Sequence, residues 1–389
     1  MRVLYITHQD TPGNGAEISM INLILDMRER YKISPVVLMP SENELADKFK
    51  SQNIEVIISK FEFWEDAYKI RSLRELEMCF NYYPRQVRAY LRLLRIIELF
   101  NTKNLEFDII HTNASGINIG DGLAQKLSLP HIWHFRDYGI DDYNIDYKDP
   151  LSLVKEAYSR SSANIAISKS IYDSYVNERK LCSPDNTRII YNGVKIPDSY
   201  EKKFLHDNRV NFCIIGGIST TKNQLMAVNA CVKLKDSADK FILIIIGSCE
   251  GEYFNELQEI ISSNGLENCV KFLGFHNDIN KILRNMNVGL MLSRREAFGR
   301  VTVEYMLNYM PVIGVNTGAT PEIINNESGF ICELDDSEKL AELMQKFITN
   351  PELLHQMGSK ARERAVKNFS LEHNTDEIYK LYQEILTRE

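Results

Sequence analysis

Short apolar runs, each bounded by polar or small residues, recur along the whole chain and limit the folds open to it. In the first half they fall at Val3 to Ile6, Pro35 to Met39, Ile54 to Ile58, Ile109 and Ile110, His131 to His134, Ile165 to Ile167 and Ile189 to Tyr191. In the second half they fall at Asn211 to Ile215, Phe241 to Gly247, Val270 to Gly274, Val288 to Leu292 and Val312 to Val315. Helix-period stretches lie between them. Runs without polar alternation suit strands covered on both faces, and regular alternation with helices calls for parallel strands joined by helical crossovers. The expected class is α/β, with doubly wound parallel sheets. After Val194 the polar stretch KIPDSYEKKFLHDNR interrupts the pattern and reads as an interdomain linker. A chain of 389 residues then divides into domains 1–198 and 199–370, each able to bury its own core.

A net charge of −7 gives no support for a nucleic-acid partner, which would call for a basic face. The seven cysteines are odd in number, scattered and free of any C-x-x-C pair, so neither a disulfide framework nor a zinc site is expected. The longest unbroken apolar run, Phe241 to Ile246, is far below the roughly 20 residues that span a bilayer. A cytoplasmic protein without a signal peptide is the expectation.

The chemistry concentrates in LSRREAFGRVTVEYM, from Leu292 to Met306. Glu296 stands in the loop after a strand and Glu304 lies in the following helix, while Phe298, Gly299, Arg300 and Val301 bring backbone amides to the helix start. Such a terminus suits a phosphate, and carboxylates accept hydrogen bonds from sugar hydroxyls. The plainer alternative is a solvated Glu296 with Glu304 favoured by the helix dipole. A second strand-to-helix turn follows, with Thr320 expected as N-cap, Pro321 at the first helical position and Glu322 in the first turn.

Together E-A-F-G-R-V-T-V-E, P-V-I-G and T-G-A-T-P-E-I-I resemble the E-x7-E region of the retaining glycosyltransferases of family 4. The resemblance implies a GT-B fold, two Rossmann-like domains facing across a cleft, with a final helix at about 371–389 packing back on the first domain. It implies that Glu296 approaches the donor sugar and that Glu304 holds the ribose. The family's glycine after the first glutamate is Ala297 here. GGISTTK is similar to the loop whose lysine sits on the diphosphate, which makes Lys222 its counterpart. An arginine often found after the first glycine is Gly217 here, so a second cation either comes from elsewhere, with Arg300 and Arg136 the candidates, or is absent. The loop containing Gly274, Phe275 and His276 resembles the one that reads the nucleobase through its backbone. Pro12-Gly13-Asn14-Gly15-Ala16-Glu17 is similar to the first loop of the family, between donor phosphate and acceptor. The H-x-R segment resembles a family pattern that puts His134 beside the donor sugar, with the structural alternative open; Asn14 in the first loop, and Asn113 and Arg136 at strand ends, are the acceptor-side candidates. Arg136 has a competing reading as the partner of Asp137 or Asp141.

In FNYYPRQVRAYLRLLRIIELF, Arg85, Arg88, Arg92 and Arg95 share one side of a helix, with Tyr90, Leu91, Leu94 and Ile97 on an apolar side. Such a helix either lies on an anionic membrane, giving a peripheral location, or is an ordinary packed helix with a solvated arginine face. Phe61, Phe63 and Trp64 either join that surface or belong to the core.

The expected activity is retaining transfer of a sugar from a nucleotide diphosphate sugar, UDP or GDP based, to a saccharide or lipid-linked saccharide in surface polysaccharide synthesis. No cofactor or metal is expected, because no D-x-D loop is present and Lys222 with helix N-termini can meet the leaving charge. The alternatives are a sugar-nucleotide epimerase of the same fold, an inactive scaffold partner, and a two-carboxylate glycosidase, which would need no phosphate cradle.

Overall fold

A computed structural model describes residues 1–7, 15–67, 71–139, 145–197, 202, 209–276 and 278–387, with backbone alone for 65–67, 71–81 and 145. The chain forms two compact units, residues 1–193 with 371–389 and residues 194–370.

The first unit holds β1 (Arg2–Ile6), β2 (Ser34–Met39), β3 (Glu55–Ile58), β5 (Ile109–Thr112), β6 (His131–Phe135), β8 (Ala163–Ala166) and β9 (Thr187–Ile189). They form one sheet in the order β3-β2-β1-β5-β6-β8-β9, parallel throughout. Alternate residues of β1 serve opposite faces, as strand geometry requires. Val3 and Tyr5 join one core with Met20, Ile24 and Met27 of the helix Gly15–Tyr31 and with Ile378, Leu381, Tyr382 and Ile385 of the helix Leu371–Leu386. Leu4 and Ile6 join the other with Leu93, Ile96 and Phe100 of the helix Arg71–Thr102. Each such buried side chain contributes about 1.5–3 kcal/mol. The antiparallel pair β4 (Glu65–Ala67) and β7 (Ile145–Tyr147) stands outside the sheet and was not foreseen.

The long arginine helix corrects two expectations. Its buried stripe is Leu93, Ile96 and Phe100, whereas Tyr90, Leu91 and Leu94 are exposed together with Tyr83 and Val87. Its arginines do not form a free basic face. Arg85 pairs with Asp149, while Arg92 and Arg88 reach Glu62 at 2.7 and 3.7 Å, so nearby carboxylates offset three of the four charges. Phe61 and Trp64 are core, and Trp64 stacks on Trp133 with centroids 5.4 Å apart. Among the described residues no helix is long and apolar enough to cross a membrane.

The second unit is a parallel sheet of β10 (Val210–Ile215), β11 (Phe241–Ile246), β12 (Val270–Gly274), β13 (Val288–Met291), β14 (Val312–Val315) and β15 (Gly329–Cys332), ordered β12-β11-β10-β13-β14-β15. The strand β15 had no counterpart among the sequence runs. At Gly289 a Cβ would lie 2.1 Å from the Tyr305 ring, so the missing side chain admits that ring beneath the sheet. The Tyr305 hydroxyl accepts the Ile215 N–H at 2.9 Å, which pins the helix Arg300–Leu307 to β10.

Candidate functional site

In the second unit the strand order reverses between β10 and β13, which pair directly at Phe212–Val288 and Cys213–Gly289. Loops leaving the carboxyl ends of such neighbours open a crevice where ligands bind in doubly wound sheets. The loop after β10 carries Gly217 and Lys222, and the loop after β13 carries Glu296. The Lys222 ammonium and the Glu296 carboxylate form a hydrogen-bonded ion pair.

Side chains that sequence reasoning passed over hold these two loops together. The Arg294 N–H donates to Thr221 O at 2.9 Å, and the Arg294 guanidinium donates through both terminal nitrogens to Asp335, 2.8 Å each. Asn223 Nδ2 donates to the same carboxylate at 3.0 Å. The Arg294 hydrogen bonds hold the Asp335 carboxyl below its ordinary value. The strut could not be read from the sequence, since Asp335 is 41 positions from Arg294.

The turn after β14 serves Glu296 as well. Gly318 has φ 53°, and a Cβ there would lie 2.4 Å from Glu296 O. The next residue, Ala319, donates its N–H to that oxygen at 2.9 Å. Ala319 also stands at the N-cap of the helix Thr320–Ile323, so Thr320 is the first helical residue and not the cap expected.

Gly299, at φ 83°, is the N-cap of the helix Arg300–Leu307, whose first turn contains Arg300 and Val301. The Phe298 ring is buried edge-on against Phe369, so its side chain belongs to the core. Glu304 Oε1 lies 3.6 Å from Arg300 Nη2, one turn away. Burial pushes the Glu304 carboxyl above its ordinary value while Arg300 pulls it back, and burial lowers Arg300. At Gly217 a side chain would meet open space. Phe275 is 72% exposed, and the exposed His276 ring has Nε2 3.0 Å from Leu273 O.

In the first unit Gly15 opens the helix Gly15–Tyr31, and Asn14 lies outside the described residues. His134 is not at an open strand end. It is fully buried, with Nδ1 3.1 Å from His111 Nε2. Burial, followed by the Arg136 charge, holds both imidazoles well below the ordinary histidine value, so both are neutral. Arg136 is buried too, donating Nε to Asn113 Oδ1 at 2.9 Å and Nη1 to Asn192 Oδ1. The structure therefore gathers Asn113, His134 and Arg136 at the ends of β5 and β6, and Lys222, Glu296, Glu304 and Arg300 beside β10 and β13.

A family model for glycosyl transferases of group 1 matches residues 196–364, and one for Glycosyltransferase Family 4 matches residues 13–196. N-acetyl-alpha-D-glucosaminyl L-malate synthase of Bacillus anthracis is 26% identical over 260 residues, 67% of this chain and 64% of that protein. The capsular polysaccharide biosynthesis glycosyltransferase CapM of Staphylococcus aureus is 29% identical over 193 residues, 49% of this chain and 50% of that protein. The chain thus spans 64% and 50% of the lengths of these relatives. Among solved structures, Anabaena HepE in complex with UDP superposes with a TM-score of 0.77 at 20% identity, covering 99% of this chain and 100% of that one. At that identity the likeness speaks for the GT-B fold.

Proposed function

Because this chain belongs to the glycosyltransferases of group 1 and family 4, we propose that it moves a sugar, with retention at the anomeric carbon and without a metal, from a nucleotide diphosphate sugar to a saccharide or lipid-linked saccharide hydroxyl. The observation that carries this reading is the Lys222–Glu296 pair at the strand-order reversal, with Glu304 on the helix Arg300–Leu307 that follows the Glu296 loop. In ligand-free protein Glu296 neutralises Lys222. A bound diphosphate takes over the ammonium as its counter-ion, and Glu296 is released to accept from donor-sugar hydroxyls.

The bond from the anomeric carbon to the diphosphate oxygen breaks with its electron pair leaving on the diphosphate, where Lys222 stabilises the charge. The acceptor oxygen bonds to the anomeric carbon on the face the diphosphate leaves, and its proton passes to a diphosphate oxygen. Glu304 holds the ribose hydroxyls and the first turn at Arg300 and Val301 holds phosphate. Gly217, Phe275 and the backbone beside His276 line the nucleotide, His134 attends the donor sugar, and Asn113 and Arg136 serve the acceptor. Curated relatives act in capsule and other glycan synthesis, which supports a surface polysaccharide as the product.

Thermal shift against UDP, GDP, ADP and their sugar conjugates, with and without EDTA, tests the proposal. Stabilisation by one nucleotide that survives EDTA is expected. No shift with any of them favours a scaffold partner. Release of an altered nucleotide sugar without acceptor favours an epimerase.

A further inference from the structure

Within the second unit the carboxyl ends of two short helices are seated on one longer helix, Glu352–Phe369. Both short helices serve the site. Arg300–Leu307 carries Glu304, and Thr320–Ile323 follows directly on Ala319, whose N–H donates to Glu296 O. Arg362 Nη1 donates to Leu307 O, the last carbonyl of the first helix. Arg364 donates Nε to Ile323 O at 2.7 Å and Nη2 to Glu322 O at 2.8 Å, the last two carbonyls of the second.

The two helices differ in what else fixes them. Arg300–Leu307 is also pinned to β10 by the Tyr305 hydroxyl. Thr320–Ile323 is a single turn, and a lone turn fixes several dihedral angles for few hydrogen bonds, so its orientation follows from what grips it. The planar Arg364 fork meets two carbonyls at the end of a helix, where the backbone leaves acceptors over and its dipole favours a cation. The same guanidinium lies 5.7 Å from the centre of the Phe369 ring, which packs against Phe298, two positions after Glu296. We infer that Arg364 is a positioning residue for Glu296. By gripping the far end of Thr320–Ile323 it keeps the Ala319 amide on the Glu296 carbonyl, and so keeps the Glu296 carboxylate where a donor-sugar hydroxyl meets it. The inference rests on the role of Glu296 proposed above.

Hydrogen exchange at the Ala319 amide of the ligand-free full chain reads the grip directly, with the Gly289 amide, which donates to Pro311 O at 3.0 Å, as reference. In Arg364→Gln the Ala319 amide should exchange about tenfold faster relative to Gly289. With the nucleotide sugar that thermal shift selects, kcat should fall about tenfold, while the Kd for its nucleoside diphosphate stays within about twofold. Arg364→Lys keeps the charge without the fork and should recover part of both losses. Arg362→Gln loses a carbonyl bond of the same kind and should cost a similar few degrees of melting temperature, with kcat within about twofold. Unaltered Ala319 exchange in both Arg364 variants, faster exchange with native kcat, or equal losses of kcat in Arg362→Gln and Arg364→Gln each overturns the inference. A wild type that turns over no nucleotide sugar fails the transferase reading separately, because the exchange measurement needs no turnover and still decides whether Arg364 holds the Ala319 amide.

Discussion

Lys222 and Glu296, 74 positions apart, form an ion pair between loops that leave two adjacent strands. The pair makes each residue the stand-in for the other's ligand. In Lys222→Ala the leaving diphosphate loses its cation, and kcat should fall by about 10²–10³-fold, the scale for removing one group that stabilises transition-state charge. Steady-state kinetics with the nucleotide sugar found by thermal shift measures this, and full turnover in the variant removes the diphosphate role.

Gly318→Ala should harm activity more than stability. A methyl group 2.4 Å from Glu296 O, at a φ of 53°, forces the Glu296 backbone aside. We expect at least about tenfold lower kcat/KM with a melting temperature only a few degrees lower, measured on one preparation. A variant with native kinetics shows that the second turn does not place Glu296.

Glu304→Ala should weaken nucleoside diphosphate binding by about 1.5–3 kcal/mol, the value of hydrogen bonds to a charged group. Calorimetry with the ribonucleotide and its 2′,3′-dideoxy analogue separates ribose contacts from the loss of the Arg300 partner. Wild type should prefer the ribonucleotide and the variant should not. Equal preference in both proteins rules out the ribose role.

Acid should destabilise the first unit through its buried imidazoles. Burial lowers His111, His131 and His134, His131 from 6.5 to about 3. Below the ordinary value the unfolded chain takes up protons that the folded chain refuses. The stabilisation is therefore complete above about pH 6.5 and is lost as pH falls towards the folded values, at up to about 1.4 kcal/mol per pH unit for each ring. Urea midpoints measured from pH 7 to about pH 5 should fall, and His131→Gln should flatten the slope. A midpoint independent of pH in that window contradicts neutral burial.

Arg85→Ala should cost about 3 kcal/mol, because Asp149, 5% exposed, loses the cation it is buried against. Arg95→Ala, an exposed change on the same helix, should cost under about 0.5 kcal/mol. Chemical denaturation distinguishes them, and equal small effects would return the arginines to a merely solvated face.

Much of the fold was legible because it depends on local periodicity. The runs at Val3, Phe241 and Val312 became central parallel strands, and Gly299 became a helix cap, since apolar repeat and backbone preference act over a few residues. The partners of the arginine helix were not legible for the same reason. Its period showed two faces, but Glu62 and Asp149, which pair with Arg85, Arg88 and Arg92, come from other parts of the chain.

The sequence by itself determined the α/β class, the family and the residue types at the strand ends, because these rest on short-range patterning and on a motif whose spacing is set along one turn and one helix. Only the tertiary structure decided that Glu296 faces Lys222, that Asp335 braces both loops and that Gly318 supports Glu296 from the next strand. It alone placed Arg364 on the carbonyls of Glu322 and Ile323. Each of those contacts joins groups far apart in sequence, and ion pairs and hydrogen bonds act over a few ångströms of space whatever the separation along the chain.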